Sequence, residues 1–250
     1  QKGKGFALAE DDPWTWHASG PFDKVSGSAP KAAPKKGPVV PSLPRYQKVF
    51  GQALVDLARE DERVVTITAG MPDGTSTDLF AKELPGRYFD VGIAEGHSVT
   101  FAAGLATEGV KPVVAIYSTF LQRGYDMIVH DVALQDLPVR FAMDRAGIAG
   151  ADGPTHHGTL DISYMLGIPN MTVTAGKDGE EMIGLLRTGL AHSTGPYSVR
   201  WPRANVPFEV PATSAVAPVP YGSWEVLREG TDIALLAVGT MVLPALDAAQ

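Results

Sequence analysis

Residues 88–117 read YFDVGIAEGHSVTFAAGLATEGVKPVVAIY. The first five form a short apolar and aromatic segment ending in glycine, which predicts a strand. From Ile93 to Glu108 small and apolar residues recur at helical spacing, and Gly109 closes the run. Lys111 to Ser118 is again apolar and β-branched, a strand buried on both faces. Strand, helix and strand over such a span make a crossover, and crossovers join parallel strands. One side chain is unexpected here. Glu95 stands at the head of the helix among small and apolar neighbours. A carboxylate at a helix start complements the positive end of the helix dipole, and taken alone that is the simpler reading. A carboxyl group kept from water is also what a proton-handling site needs.

The same alternation extends outward in both directions. A helical stripe runs from Arg45 to Arg59 through Val49, Phe50, Ala53, Leu54 and Leu57, and RVVTITA (63–69) follows as a strand. STDLFAKEL (76–84) predicts a short helix with Ser76 or Thr77 as its cap and Pro85 as its stop. Beyond residue 118 the expected order is a helix over 119–135, a strand over 138–145, a long loop, and a helix over 159–166. A strand (171–175), a helix (180–192) and a strand (197–203) complete it. The fold class is α/β, a mainly parallel sheet with helices on both faces. Ligands of such sheets bind beyond the carboxyl ends of the strands, which puts five loops on one rim: residues 68–70, 91–96, 117–120, 144–158 and 200–205.

The flanks are of a different character. GSAPKAAPKKGPVVPSLP (27–44) is rich in proline, alanine and lysine, a solvated linker, and NVPFEVPATSAVAPVPYGS (205–223) is a second irregular stretch. The formal net charge of −7 opposes a general nucleic-acid binder. No cysteine is present, which removes disulfides and thiolate chemistry and fits a reducing compartment. No apolar run reaches membrane-spanning length. The chain opens on Gln1 without a signal-like segment and stops within an apolar, helix-like stretch, so it reads as part of something longer.

On the rim, Tyr117, Ser118, Phe120 and Arg123 follow a buried strand, and Arg123 is equally suited to a phosphate or a surface ion pair. The loop DRAGIAGADGPTHHG (144–158) holds Asp144, Arg145, Asp152, His156 and His157, and a loop of this length in a compact domain usually has a function. Asp152 with two adjacent histidines is a poor metal set, and hydrogen bonding to a polar substrate is the better reading. Arg203 ends the last strand on the same rim, and converging arginines and histidines suit a small anionic ligand. His130 and Asp131 read as packing or interface residues, and His17 has no role. There is no phosphate-binding P-loop, nucleophile elbow, dinucleotide fingerprint or zinc-protease helix.

Three motifs in order, FDVGIAEGHSVTFAAGLATEGVKPVVAIYSTFLQRGYD, DRAGIAGADGPTHHG and VRWPRAN, resemble the 1-deoxy-D-xylulose-5-phosphate synthases. These are thiamine-diphosphate enzymes of the transketolase superfamily. The resemblance runs through nearly the whole chain and implies a thiamine-diphosphate-binding fold of the pyrimidine-domain type. It implies residues 1–26 as the tail of a first, diphosphate-binding domain, 27–44 as a linker and 45–205 as the pyrimidine-binding domain. A second linker then spans 206–223, and 224–250 begins a transketolase C-terminal domain. Glu95 matches the glutamate that hydrogen-bonds the cofactor's aminopyrimidine and so promotes loss of the thiazolium proton. Phe120 matches the aromatic residue that stacks on the pyrimidine. Tyr117, Arg123, Arg145, Asp152, His156 and Arg203 match the substrate site, with Arg123 and Arg203 on a phosphate and His156, the second catalytic residue, positioning reacting oxygens.

The implied reaction condenses pyruvate with glyceraldehyde 3-phosphate, losing carbon dioxide, in the non-mevalonate isoprenoid pathway. The implied setting is a cytoplasmic homodimer with neither nucleic acid nor membrane as a partner. Several positions depart from the family pattern: Gly96 for glutamine, Ser98 for alanine, His157 for a small polar residue, Trp201 for tyrosine and Ala204 for glycine. The GDG motif that holds magnesium (Mg2+) and the diphosphate does not occur in these residues. The isolated chain is therefore expected to be inactive, with the magnesium ligands elsewhere in the parent enzyme. The rival readings are the C-terminal subunit of a split transketolase and a non-catalytic binding subunit of the same fold.

Overall fold

Strands form where the apolar runs were found. The computed structural model describes residues 3–13, 16, 20–28 and 42–250. Its strands are β1 (Val64–Thr68), β2 (Tyr88–Asp90), β3 (Lys111–Tyr117), β4 (Arg140–Asp144), β5 (Thr172–Ala175) and β6 (Tyr197–Arg200). All pairings are parallel, and the order across the sheet is β2-β1-β3-β4-β6-β5. The order reverses between β1 and β3, and reversal points are where such sheets open a crevice at the strands' carboxyl ends.

Side-chain alternation divides the core between the two faces. Along β3, Val113 and Ala115 join one apolar cluster while Val114 and Ile116 join the other. The first cluster is covered by α2 (Tyr46–Glu60) and α9 (Gly179–Ala191), the second by α5 (Glu95–Thr107) and by Met165 of α8 (Asp161–Leu166). Helices thus cover both faces, as the alternation requires. Asp178 caps α9 by accepting a hydrogen bond from the Glu181 backbone N–H at 2.8 Å. No helix among the described residues is long and apolar enough to cross a membrane.

Three local expectations are corrected. The last strand stops at Arg200, so Arg203 stands in the loop beyond it and does not end the strand. Ser76 does not cap the helix that follows α3 (Pro72–Thr75), and neither does Thr77. Ser76 sits in the left-handed region at φ 57° and makes no cap hydrogen bond to α4 (Thr77–Glu83). The Thr77 hydroxyl instead lies 3.1 Å from that of Thr75, which itself donates to the Met71 carbonyl. Residues 119–135 are not one helix. They form α6 (Ser118–Leu121), a 3-10 turn (Gln122–Gly124), α7 (Tyr125–Met127), a π turn (Ile128–Val132) and a further 3-10 turn (Ala133–Gln135). The break lies where the segment meets α5: a Cβ on Gly124 would stand 3.0 Å from Val99 Cγ2 and 3.4 Å from the Glu95 carbonyl oxygen.

The chain separates into two units, Gln1–Pro41 and Ser42–Gln250. The first contains α1 (Ala7–Asp11) and an edge-packed aromatic trio of Phe6, Trp16 and Phe22. His17 and residues 29–41 of the expected linker lie outside the described residues. In the second unit residues 216–238 contain neither helix nor strand before α10 (Val242–Ala248).

The packing of α2 gives a paired test. A Cβ on Gly51 would lie 2.6 Å from the Ser76 carbonyl oxygen, whereas one on Gly104 of α5 would meet nothing within 4 Å. Gly51→Ala should destabilise the chain by about 1–3 kcal/mol through overpacking. Gly104→Ala should stabilise it by about 0.5–1 kcal/mol, because glycine is a poor residue for a helix interior. Urea denaturation of the two variants measures both. Equal effects would mean that the α2 contact is not as close as described.

Candidate active site

Glu95 is the first residue of α5, and its side chain is 3% exposed. Arg123, 63% exposed, brings Nη1 to 3.3 Å from Glu95 Oε2. The two are not aligned for a hydrogen bond, so Oε2 remains a buried acceptor without a donor. Such atoms are uncommon because desolvating an acceptor costs free energy that only a donor offsets. The turn around the carboxyl is nevertheless firmly built. Ser98 Oγ donates to the Glu95 carbonyl at 2.6 Å. A side chain at Gly96 would run into Met127, whose Cε lies 2.9 Å from the Cβ position. Met127 therefore fills the space beside Gly96, and the turn is not left loose.

A second group gathers around Arg145, immediately after β4. This buried residue has φ 58°, a strained conformation for a bulky side chain. Its Nε donates to Asp152 Oδ2 at 2.8 Å and its Nη1 to the Gly74 carbonyl at 3.0 Å. The guanidinium lies 3.8 Å above the centroid of the Tyr117 ring, a cation–π contact. Burial pushes the Tyr117 phenol up to about 12, with Arg145 opposing the shift. Arg203 Nε approaches the same Asp152 oxygen to 2.9 Å, without hydrogen-bond alignment. Phe120 stacks against Tyr117 at 5.6 Å and meets His156 edge-on at 5.2 Å.

The loop carrying Asp152 and His156 is closed at its neck. Gly147 and Gly158 exchange both backbone hydrogen bonds at 2.8 Å. A Cβ on Gly158 would stand 2.2 Å from Ser118 Oγ and 2.6 Å from the Arg145 carbonyl, so only glycine fits. Within the loop, His157 Nδ1 accepts from the Ala149 N–H at 3.0 Å. His157 thus braces the loop while His156 turns to the aromatic pair. Among the described residues no group of histidine and carboxylate side chains is gathered for a metal ion.

Six expected site residues are therefore joined by contacts: Tyr117, Phe120, Arg145, Asp152, His156 and Arg203. Glu95 and Arg123 form a separate pair. Arg123 and Arg203 are each engaged by a different carboxylate. A cavity of about 680 Å3 lies away from this rim, between α2 and residues 210–214, and shares none of these residues.

The family profile described as "Transketolase, pyrimidine binding domain" matches residues 43–209. The chain belongs to this family. It is 56% identical over its full length to 1-deoxy-D-xylulose-5-phosphate synthase 2 of Geobacter sulfurreducens, and spans 39% of that protein. It is 52% identical, again over its full length, to the 1-deoxy-D-xylulose-5-phosphate synthase of Chlorobium phaeovibrioides, of which it spans 38%. Among solved structures, a split-gene transketolase in an inactive beta4 tetramer matches with a TM-score of 0.71 and 31% identity, over 82% of this chain and 66% of that one. A transketolase from Pichia stipitis in complex with sedoheptulose 7-phosphate matches in fold, with a TM-score of 0.68 and 21% identity, over 87% of this chain and 34% of that one.

Two residues of this pyrimidine-binding domain were given no role from sequence. Gly74 accepts from Arg145, and a Cβ on it would collide with the Tyr117 hydroxyl. Its signal was the Pro72-Asp73-Gly74 turn. Asp144 stood out only as a member of the long loop, because beside Arg145 it resembles half of a surface ion pair. It is fully buried instead, and burial pushes its carboxyl up to about 7, with Arg145 and the Trp201 indole opposing.

That shift fixes the sign of a pH effect. Between 3.8 and about 7 the folded chain keeps a proton on Asp144 that the unfolded chain has released. Asp144 thus favours folding most below this window, and its contribution declines as pH rises through it. Urea midpoints of wild type and Asp144→Asn at pH 5 and pH 8 test this: the variant should gain on wild type at the higher pH. A constant difference would show that Asp144 does not titrate in that range.

Proposed function

We propose that this chain is the pyrimidine-binding portion of a 1-deoxy-D-xylulose-5-phosphate synthase. The whole protein would condense pyruvate with glyceraldehyde 3-phosphate, releasing carbon dioxide, in the cytoplasm. The observation that carries this reading is Glu95: a buried carboxyl at a helix start, holding one oxygen without a donor beside a segment that presents an arginine. Identities above 50% over the full chain to two synthases support it over a split transketolase.

The residues suit thiamine diphosphate. The free Glu95 oxygen offers an acceptor for a ring N–H, and the half-buried Phe120 ring offers a stacking face on α6, which packs against α5. When bound, that cofactor supplies a nucleophilic carbon for attack on a keto group, with Mg2+ and the diphosphate held by another part of the protein. Glu95 holds and returns a proton at its carboxyl, and its apolar setting strengthens that hydrogen bond. Arg123 and Arg203 carry the positive charge that receives the substrate phosphate. Arg145 and Asp152 orient the polar groups of the substrate, His156 donates to its oxygens, and Tyr117 supports Arg145 from below. A second copy of the protein would cover apolar residues that are exposed on this chain, among them Ile93, Ile148, Leu160 and Leu166.

Formation of 1-deoxy-D-xylulose 5-phosphate from the two substrates by the full-length protein tests the reading directly, and no product from a folded, cofactor-loaded protein would overturn it. In that protein Glu95→Gln should slow the reaction by roughly a hundredfold or more, because an amide cannot carry the proton. Exchange of the cofactor's C2 proton, followed by NMR, should slow with it; an unchanged exchange rate would remove Glu95 from this role.

Arg203→Ala or Arg123→Ala should raise the KM for glyceraldehyde 3-phosphate roughly tenfold or more, the scale of one lost charge-assisted hydrogen bond. The KM for pyruvate should change far less. Equal rises for both substrates would count against a phosphate role.

A further inference from the structure

Asp144 ends β4 and is fully buried, yet it has no part in the proposed reaction. Its Oδ1 accepts from the Arg145 backbone N–H at 2.5 Å, and its Oδ2 lies 3.2 Å from Arg145 Nη1. One carboxyl thus hydrogen-bonds the main chain and ion-pairs, without an aligned hydrogen bond, with the guanidinium of a residue held at φ 58°. From there outward the charges alternate. Arg145 Nε meets Asp152 Oδ2, and Arg203 Nε meets that same oxygen from the rim. With all four groups ionised the row is neutral. With Asp144 protonated, it carries one net positive charge, and its outer end is an arginine 24% exposed.

We propose that Asp144 is the positioning residue of this rim: it locks Arg145 into its left-handed conformation and, by gaining or losing a proton, sets whether the row meets an anionic ligand as a neutral or a singly positive surface. The proposal rests on reading the rim as a site for a phosphorylated substrate. The groups facing Asp144 are few. From its own loop there is Arg145. From β3 comes Tyr117, whose phenol stays neutral near pH 7, with Asp73 and Asp152 acting on it in turn. Trp201, following β6, turns its indole toward the carboxyl, although neither Trp201 Nε1 nor Asp144 Oδ2 closes an aligned hydrogen bond. Burial outweighs Arg145 and Trp201 and brings the carboxyl to about 7, within reach of ordinary pH changes. His156, 6.2 Å from the Tyr117 ring, is common to wild type and variant and cancels in their comparison.

Sulfate is the probe, because it stays doubly charged between pH 6 and pH 8 while phosphate does not. Sulfate affinity of the full chain should weaken roughly three- to tenfold from pH 6 to pH 8 as the row loses its net charge. In Asp144→Asn the change should fall below about twofold. Trp201→Phe, which keeps the stacking on Phe50 but removes the N–H that favours the ionised carboxyl, should move the profile to higher pH. The Arg145 Nε–H resonance should follow the same titration in wild type and lose it in Asp144→Asn. Identical pH dependence in wild type and Asp144→Asn, or no sulfate binding at either pH, would overturn the proposal. Should Asp144→Asn fail to fold, the Trp201→Phe profile and the 13C titration of the wild-type Asp144 carboxyl decide alone. A full-length protein that makes no product would remove the substrate reading and leave these results standing.

Discussion

A parallel sheet forces every outgoing loop to one edge, and the arrangement of this chain follows from that constraint. Each strand is hydrogen-bonded to its neighbours in one direction, so β1, β2, β3, β4 and β6 deliver their carboxyl ends side by side. Glu95, Tyr117, Arg145 and Arg203 reach the rim because they lie at or just beyond those ends, not because they are close in sequence. The return journeys are left to helices, whose apolar faces form the two core clusters. The polar network therefore stands on a rigid base, with both faces of the sheet already covered.

Where periodicity determines structure, the sequence was legible. The apolar runs at 63–69, 111–118 and 138–145 become β1, β3 and β4, and the stripe from Val49 to Leu57 becomes the buried face of α2. Residues 119–135 were not legible in the same way. Apolar spacing alone does not distinguish α, 3-10 and π turns. What separates them here is the approach of Gly124 to the main chain of α5, a contact between segments far apart along the chain. Ser76 misled for a related reason, since its conformation is set by packing against α2 and not by its capacity to cap.

The candidate site shows the same division. Glu95 was visible as a carboxylate in the wrong company, and the structure gives that oddity a physical form in an acceptor without a donor. Arg145 and Asp152 were visible as polar residues in a long loop. Asp144 was visible beside them but its burial was not, because burial is a property of the fold: adjacent charged residues look alike in sequence whether they face water or the interior. Gly96 is intelligible only together with Met127, whose side chain takes up the space beside it.

The closed neck between Gly147 and Gly158 has a consequence for divergence. Because the loop is pinched by main-chain bonds, its base does not depend on the side chains it encloses. Insertions, deletions and substitutions between the two glycines leave the strand ends and the Arg145 backbone where they are. The ten residues between them hang from a fixed anchorage, and the His157 brace on Ala149 is a local contact inside it. A family built on this fold can thus retune what it accepts at one mouth of the crevice without rebuilding the sheet beneath.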